Sequence, residues 1–341
     1  MFKLATFWKW LYSDWEASID KPIPGYTILL PVPGDLPVFL KIALEICCQQ
    51  KSDNLVETIV IPDQSLPGFK ELLQEWAKDY SISPIRLVKP KLLEELIFSV
   101  KKNPHHNYAS QVIRGINATQ STHALLHDAD LFITNNTFLN IHYQKCNNSH
   151  LACLGVSPVW DNWYNEQGIY HLNATWELIF NIQWARSFKP WEHRGHDNEI
   201  NGKAHTFDVT LFPQCKTDPK FIDRHQEEWG FVHFNYVICT YRWFQKSKVS
   251  FEDESFRILL IRLLINAFDT SAWKYDVPEV DELVKGINDA SNCVTYMQQK
   301  TRENYGEFRS KLQTLIDSQI LNDEKAEILS EGVRNFDRVF C

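Results

Sequence analysis

Between Tyr26 and Phe132, short apolar runs alternate with segments of helical periodicity, and no other feature restricts the fold as much. "YTILLPV" is a strand-like run closed by Pro31 and Pro33-Gly34, and "LPVFLKIALEICCQQ" follows with helical spacing and a Pro near its first turn. "VETIVIPD" is a second strand ending at Asp63. Gly68 to Tyr80 reads as a helix, "PIRLVKP" as a third strand, Lys91 to Lys102 and Ser110 to Ala118 as helices, and "HALLHDADLFIT" as a fourth strand. Strands separated by helices pair in parallel, because each helix supplies the crossover. The expected fold is therefore α/β, a mostly parallel sheet with helices on both faces. In such sheets the ligand crevice opens beyond the carboxyl ends of the strands, where Pro31, Asp63, Asp128 and Asp130 all fall.

A chain of 341 residues exceeds the usual size of one domain. We divide it into an amphipathic segment (1–22), a catalytic domain (23–245) with a nucleotide-binding half (26–132) and an acceptor half (133–245), and a helical C-terminal extension (246–341). The net charge of −8 and the lack of a long Lys/Arg run exclude general affinity for nucleic acid. Eight Cys without a C-x-x-C pair read as reduced thiols, and no secretory signal or membrane-spanning run is seen, so a cytoplasmic protein is expected. Residues 1–16 set Phe, Leu and Trp at near-helical spacing with Lys between them. Such a segment suits a peripheral membrane contact or, preferably, docking on the protein's own core or a second subunit.

Asp128 and Asp130 sit one residue apart in an apolar run. If the run is a strand, both carboxylates point to one side. Like charges so placed raise a pKa or recruit a divalent cation. Oxygen ligands at a cleft edge suit Mg²⁺ or Mn²⁺, shared with a substrate's phosphates.

The span from Tyr26 to about Phe132 resembles the nucleotide-binding half of a GT-A fold glycosyltransferase, most like the inverting family 2. "TILLPVPGDLPVFLKIALEICCQQ", "VETIVIPDQS" and "NYASQVIRGINATQSTHALLHDADLF" carry the resemblance through their order and spacing, and "GHDNE" is similar to the family's acidic acceptor-site motif. The resemblance implies that Pro31 and Asp63 line the base and ribose pocket. It further implies that Asp128 lies near ribose and metal, and that Asp130 binds an ion bridging the diphosphate of a nucleotide-sugar donor. The chain departs from the family in its first turn, Pro33-Gly34-Asp35, and in offering one Asp at the end of the second strand.

Transfer to a hydroxyl acceptor, such as a saccharide, needs a base. Asp197 and Glu199 in "WEHRGHDNEING" are the candidates, with Glu192 a weaker third. His233 is a candidate metal ligand, or else a core histidine. Asp208 suits acceptor or metal, and Trp160 and Trp163 in a loop-like context suit stacking on a sugar face. Trp176 and Trp184 in "TWELIFNIQWA" share helical spacing and read as core. His193, His196 and His205 follow no familiar zinc spacing, and His105-His106 reads as the start of a loop. Two other functions stay open from sequence: a sugar-phosphate nucleotidyltransferase, and an inactive GT-A-like module that binds or assembles.

Overall fold

A computed structural model describes residues 15, 19–47, 50, 52–64, 66–80, 83–101, 103–194, 198–225, 230–247, 255–288 and 298–340. The N-terminal aromatic segment apart from Trp15, together with His196 and Asp197, lies outside the described residues.

A seven-stranded sheet runs in the order β10-β6-β7-β4-β1-β2-β3. It comprises β1 (Ile23–Pro33), β2 (Leu55–Asp63), β3 (Ile85–Leu87), β4 (Ser121–Leu126), β6 (Cys153–Gly155), β7 (Leu178–Asn181) and β10 (Ile222–Arg224). β3, β2, β1 and β4 are parallel; β7 is antiparallel to β4 and β6, and β10 is parallel to β6. β5 (Leu131–Ile133) pairs instead with β11 (Phe231–His233), and β8 (Asn198–Ile200) with β9 (Lys203–His205).

Four helices complete the parallel half. α1 (Val38–Ile42) continues as a π-helical turn through Cys47, and α2 (Phe69–Trp76), α3 (Leu92–Lys101) and α4 (Pro104–Ala118) supply the remaining crossovers. From Tyr26 to Pro33 every residue of β1 is buried, as expected of a strand covered on both faces. Pro31 and Pro33 lack an N–H, which a central strand normally cannot spare. Here β1 outruns β4 after the Leu29↔Leu126 pair, and the alternation that turns Gly34 N–H toward Asp63 O turns positions 31 and 33 toward the vacated β4 side. The prolines therefore break no ladder bond while stiffening the strand end.

Alternate residues of β1 enter two cores. Ile28 and Leu30 join Val60 and the C-terminal helices, through Phe256 and Leu259 of α11 (Ser255–Phe268), Leu312 of α13 (Gln298–Asp317) and Phe336 of α14 (Asp323–Phe340). Leu29 joins Ile59, Ile61 and the Val112/Ile116 face of α4. α4 lies close on the sheet because Gly115 leaves room; a Cβ there would come 2.7 Å from Ile61 and 2.9 Å from Leu29.

Three local readings are corrected. "HALLHDADLFIT" is two strands in two sheets, with residues 127–130 a turn between them. "TWELIFNIQWA" is a bend, β7 and then α7 (Ile182–Ser187), so Trp176 precedes the strand while Trp184 lies on the helix. The turn into α7 is fixed by Asn181, whose side-chain oxygen accepts from Gln183 N and Trp184 N at 2.9 and 3.1 Å. "GFVHFNYVICTYRWF", an aromatic run that reads from sequence as one helical segment, is β11 followed by α10 (Val237–Ser247). In each case an apolar run too short to reveal its period took the conformation that tertiary pairing selects.

Several imidazoles are held neutral. Burial lowers His193 to about 4, its Nε2 donating to Ala185 O at 2.7 Å, and burial together with His225 lowers His142 to about 3. A depressed imidazole takes up its proton in the unfolded chain first, so stability falls as pH drops from about 6.5 toward about 4. His193→Gln keeps an amide donor for Ala185 O and removes the titration. In that window its unfolding free energy should depend on pH less steeply than the parent's, by about 1.4 kcal/mol per pH unit. Equal slopes in denaturant titrations at pH 5 and 6 would show that His193 charges in place.

Candidate active site

The turn between β4 and β5 brings Asp128 and Asp130 together. His127 N–H still reaches Leu29 O, Leu131 N–H closes the turn onto Asp128 O at 3.1 Å, and Ala129 N–H donates to Asp128 Oδ1 at 3.1 Å. The two carboxylates converge through this turn and not through strand alternation. Asp130 is buried, and its Oδ2 accepts from Val237 N–H at 3.2 Å, where the first turn of α10 points its free donors at the carboxylate.

The opposing charge arrives on β11. The antiparallel register sets His233 opposite Leu131, and its Nε2 stands 3.3 Å from Asp130 Oδ1 and 3.5 Å from Asp128 Oδ2. Gly230 opens that strand at φ +71°, donating no Cβ to a space where one would lie 2.5 Å from Asn135 Cβ, and its carbonyl accepts from Thr134 N–H at 2.7 Å. Burial works to lower the His233 pKa, but hydrogen bonds and charges from both aspartates outweigh it and hold the imidazolium up to about 9. Burial, then the charge of Asp128, raises the Asp130 carboxyl, with His233 opposing. At neutral pH the protein itself places a cation between the two acids.

One ligand atom from each of Asp128, Asp130 and His233 lies within 4.8 Å of the others, a spacing that one divalent ion can span. Two carboxylates and an imidazole fit Mn²⁺ better than Mg²⁺, which prefers an all-oxygen shell.

Asp63 reaches the same cleft from the end of β2 but is engaged by protein. It accepts from Asn107 Nδ2 at 2.6 Å, Gly34 N–H at 3.1 Å and Arg242 at 2.8 Å, while Arg242 also donates to Asp35 at 2.6 Å. Burial raises the Asp63 carboxyl and the Arg242 charge opposes this; Arg242 itself is raised by the two carboxylates although burial works against it. Gln111 of α4 donates to both Val32 O and Ile61 O, tying the ends of β1 and β2 under the pocket.

Pro31, Asp63, Asp128, Asp130, Trp160, Asp208 and His233 all line one cleft of about 200 Å³. Asp208 opens into it, accepting from Val209 N–H at 2.7 Å and Thr175 Oγ1 at 3.2 Å. The protein mass around the cleft raises its carboxyl, with the charge of Asp128 adding to the effect. His105, on the first turn of α4, also lines the cleft. Buried polar atoms of the lining find no hydrogen-bond partner among the described residues: Asn107 Oδ1, Tyr108 Oη, Trp176 Nε1 and Asn235 Oδ1. Unpaired buried groups are costly, and a polar ligand satisfies them.

Other candidates lie elsewhere. Glu199 is exposed on the β8–β9 hairpin and is not among the described residues of the cleft wall. Trp163 stacks on His205 with ring centroids 4.0 Å apart, and His205 pairs with Asp161 at 3.0 Å, so both are committed to packing. Glu192 caps its own helix through Lys189 N–H at 2.6 Å. Asn107, Tyr108, Gln111, Thr175 and Arg242 were not foreseen. Of these only Gln111 lay in a segment read as helix; that helix begins at Pro104 and not at Ser110, which puts Asn107 and Tyr108 on it and makes His105-His106, read as the start of a loop, part of its first turn.

Removing Arg242 leaves two buried carboxylates facing each other. Arg242→Met should cost about 3–5 kcal/mol in chemical denaturation, and adding Asp63→Asn should recover part of that loss. A double variant no more stable than Arg242→Met alone would mean that the pair is not the strut described.

No protein-family model matches the sequence, and no curated protein matches it. Among solved structures the chain is similar to the mannosyltransferase PcManGT of Pyrobaculum calidifontis in complex with GDP-Man and Mn²⁺, at 12% identity and TM-score 0.43 over 98% of this chain and 95% of that one. It is also similar to residues 1–349 of S. aureus TarS in complex with UDP-GlcNAc, at 11% identity and TM-score 0.39 over 93% of this chain and 89% of that one.

Proposed function

We propose that the protein is a metal-dependent glycosyltransferase that moves a sugar from a nucleotide-diphosphate sugar to a hydroxyl acceptor with inversion. The observation that carries this reading is the convergence of Asp128, Asp130 and His233 at the carboxyl edge of the parallel strands, in a cleft that also contains an exposed carboxylate, Asp208. Asp128, Asp130 and His233 would hold Mn²⁺, which when bound stabilises negative charge on the leaving diphosphate. The cleft wall near Pro31, Asn107 and Tyr108 would receive the nucleoside, its unpaired polar atoms meeting those of base and ribose.

Asp208 is the proposed base in place of Glu199, which is not among the described residues of the cleft wall, while Asp197 lies outside the described residues. Asp208 is exposed to the cleft that holds the three candidate ligands, and Val209 N–H and Thr175 fix its carboxylate in place to accept a hydroxyl proton. The acceptor oxygen would bond to the anomeric carbon as the bond from that carbon to the diphosphate breaks, its proton passing to Asp208. Trp160, 60% exposed and edge-on to Tyr236 at 6.1 Å, offers an aromatic face at the cleft for the acceptor. For the nucleotidyltransferase alternative the cleft lacks a free cation for a triphosphate among the described residues: its arginine, Arg242, is bound to Asp35 and Asp63.

Calorimetry with UDP and GDP, with and without Mn²⁺, followed by hydrolysis of a nucleotide-sugar panel, tests the reading. Asp130→Ala should lose metal-dependent nucleotide binding while remaining folded, with a melting temperature lowered by the orphaned Val237 N–H and the weakened His233 pair. Asp208→Asn should keep donor binding and lower kcat by about 10²–10⁴-fold. Nucleotide binding indifferent to both metal and Asp130→Ala would remove the metal site from the mechanism, and an Asp208→Asn variant of parental kcat would remove the base.

A further inference from the structure

The antiparallel pairing of β4 with β7 ends at Leu126↔Leu178, and the next two positions of that register are His127 and Glu177. A side-chain bond joins them: His127 Nδ1 donates to Glu177 Oε2 at 2.9 Å, with both residues buried. A carboxylate taken wholly out of water is costly, and its second oxygen, Oε1, finds no hydrogen-bond partner among the described residues. The backbone adds strain. Glu177 stands at φ +48°, a left-handed conformation that a glutamate keeps only when its surroundings over-determine it. Those surroundings include α5 (Phe138–Asn148), whose His142 donates from Nε2 to Glu177 O at 3.1 Å and accepts on Nδ1 from His225 Nε2 at 2.9 Å. An apolar side chain at position 177 would avoid burying an ion, so packing alone does not account for a glutamate there.

The bond fixes what lies next to it on both chains. Asp128 follows His127 and Trp176 precedes Glu177, so the pair clasps the point at which both chains leave the sheet and enter the cleft wall. Asp128 supplies one of the three candidate ligand atoms. Trp176 sets its ring 4.3 Å from that of His233, the imidazole that completes the group. Two of the three ligands therefore take their place from one buried bond, Asp128 through the main chain of its turn and His233 through the indole packed on it. We infer that Glu177 is a positioning residue for the ion site, acting through His127 and Trp176 to hold Asp128 and His233 at a separation that one divalent ion spans; this rests on the metal reading above. Removing a group that orients metal ligands from one step behind them weakens metal affinity about 10–100-fold.

Mn²⁺ binding to the full chain, read from the loss of the free ion's paramagnetic resonance signal well below each variant's melting temperature, tests this. Glu177→Ala should bind the ion about tenfold more weakly than the parent. Glu177→Gln, whose amide oxygen still accepts from His127, should restore most of that affinity. Glu177→Ala combined with His127→Ala leaves neither partner orphaned and carries the test if the single variant does not fold. It should bind no more weakly than Glu177→Ala, because the two residues act as one unit. Parental affinity in Glu177→Ala or in the double variant, with binding lost in Asp130→Ala, would overturn the positioning role and leave the metal site standing. Glu177→Gln as weak as Glu177→Ala would overturn it too, by showing that the bond to His127 is not what holds the ligands. A parent that binds no Mn²⁺ would sink the metal reading and this inference with it.

Discussion

Two carboxylates held side by side at the edge of a sheet are stable only if something positive stands between them, and in this chain that charge comes from a strand a hundred residues away. His233 reaches Asp128 and Asp130 because β5 leaves the main sheet and pairs with β11 in a fixed register. The acids raise the imidazole, and the imidazole lets the acids approach. Any divalent ion entering the site would take over a role that the imidazolium already fills, which makes the triad organised before a ligand arrives. Pre-positioned ligand atoms reduce what binding must spend on ordering them.

The same logic recurs at the other end of the cleft. Asp35 and Asp63, from the turn after β1 and the end of β2, are brought together by Arg242 of α10. Burial makes both clusters demanding: each carboxylate needs its donors, and together these donors leave little freedom in the backbone that carries them. Asp63 accordingly serves the architecture of the pocket first. Whatever it offers a ligand must be directed through the geometry of the Arg242 bond.

Much of the parallel half was legible in the sequence, because strands buried on both faces read as continuous apolar runs between periodic helices. β2 ends at Asp63 as read, and Asp128, Asp130, Asp208 and Trp160 reach one cleft. The acidic pair converges in the cleft by another route than the one read, since a turn and not strand alternation unites it. Arg242 was illegible: an arginine among aromatics looks like an ordinary helix residue until a partner 179 positions earlier is folded beneath it. Gln111 was hidden for a related reason, its partners being backbone carbonyls that sequence does not distinguish. Glu199 illustrates the converse, an acid in a suggestive motif that stands exposed on a short hairpin and is not among the described residues of the cleft wall.

One continuous segment, Gly230 to Arg242, ties these observations together. Its β-strand delivers His233, its helix start gives Val237 N–H to Asp130, and the helix's second turn delivers Arg242 to Asp63 and Asp35. Between strand and helix the backbone passes through Tyr236 at φ +67°, a conformation that a bulky residue adopts only when its surroundings dictate it. Those surroundings include Arg257, whose Nε donates to Asn235 O from the C-terminal helices. The helices beyond residue 255 therefore do more than cover one face of the sheet. They hold the turn from which both charged clusters of the cleft are set, so the acids of the first half of the chain meet their partners through packing in the last third.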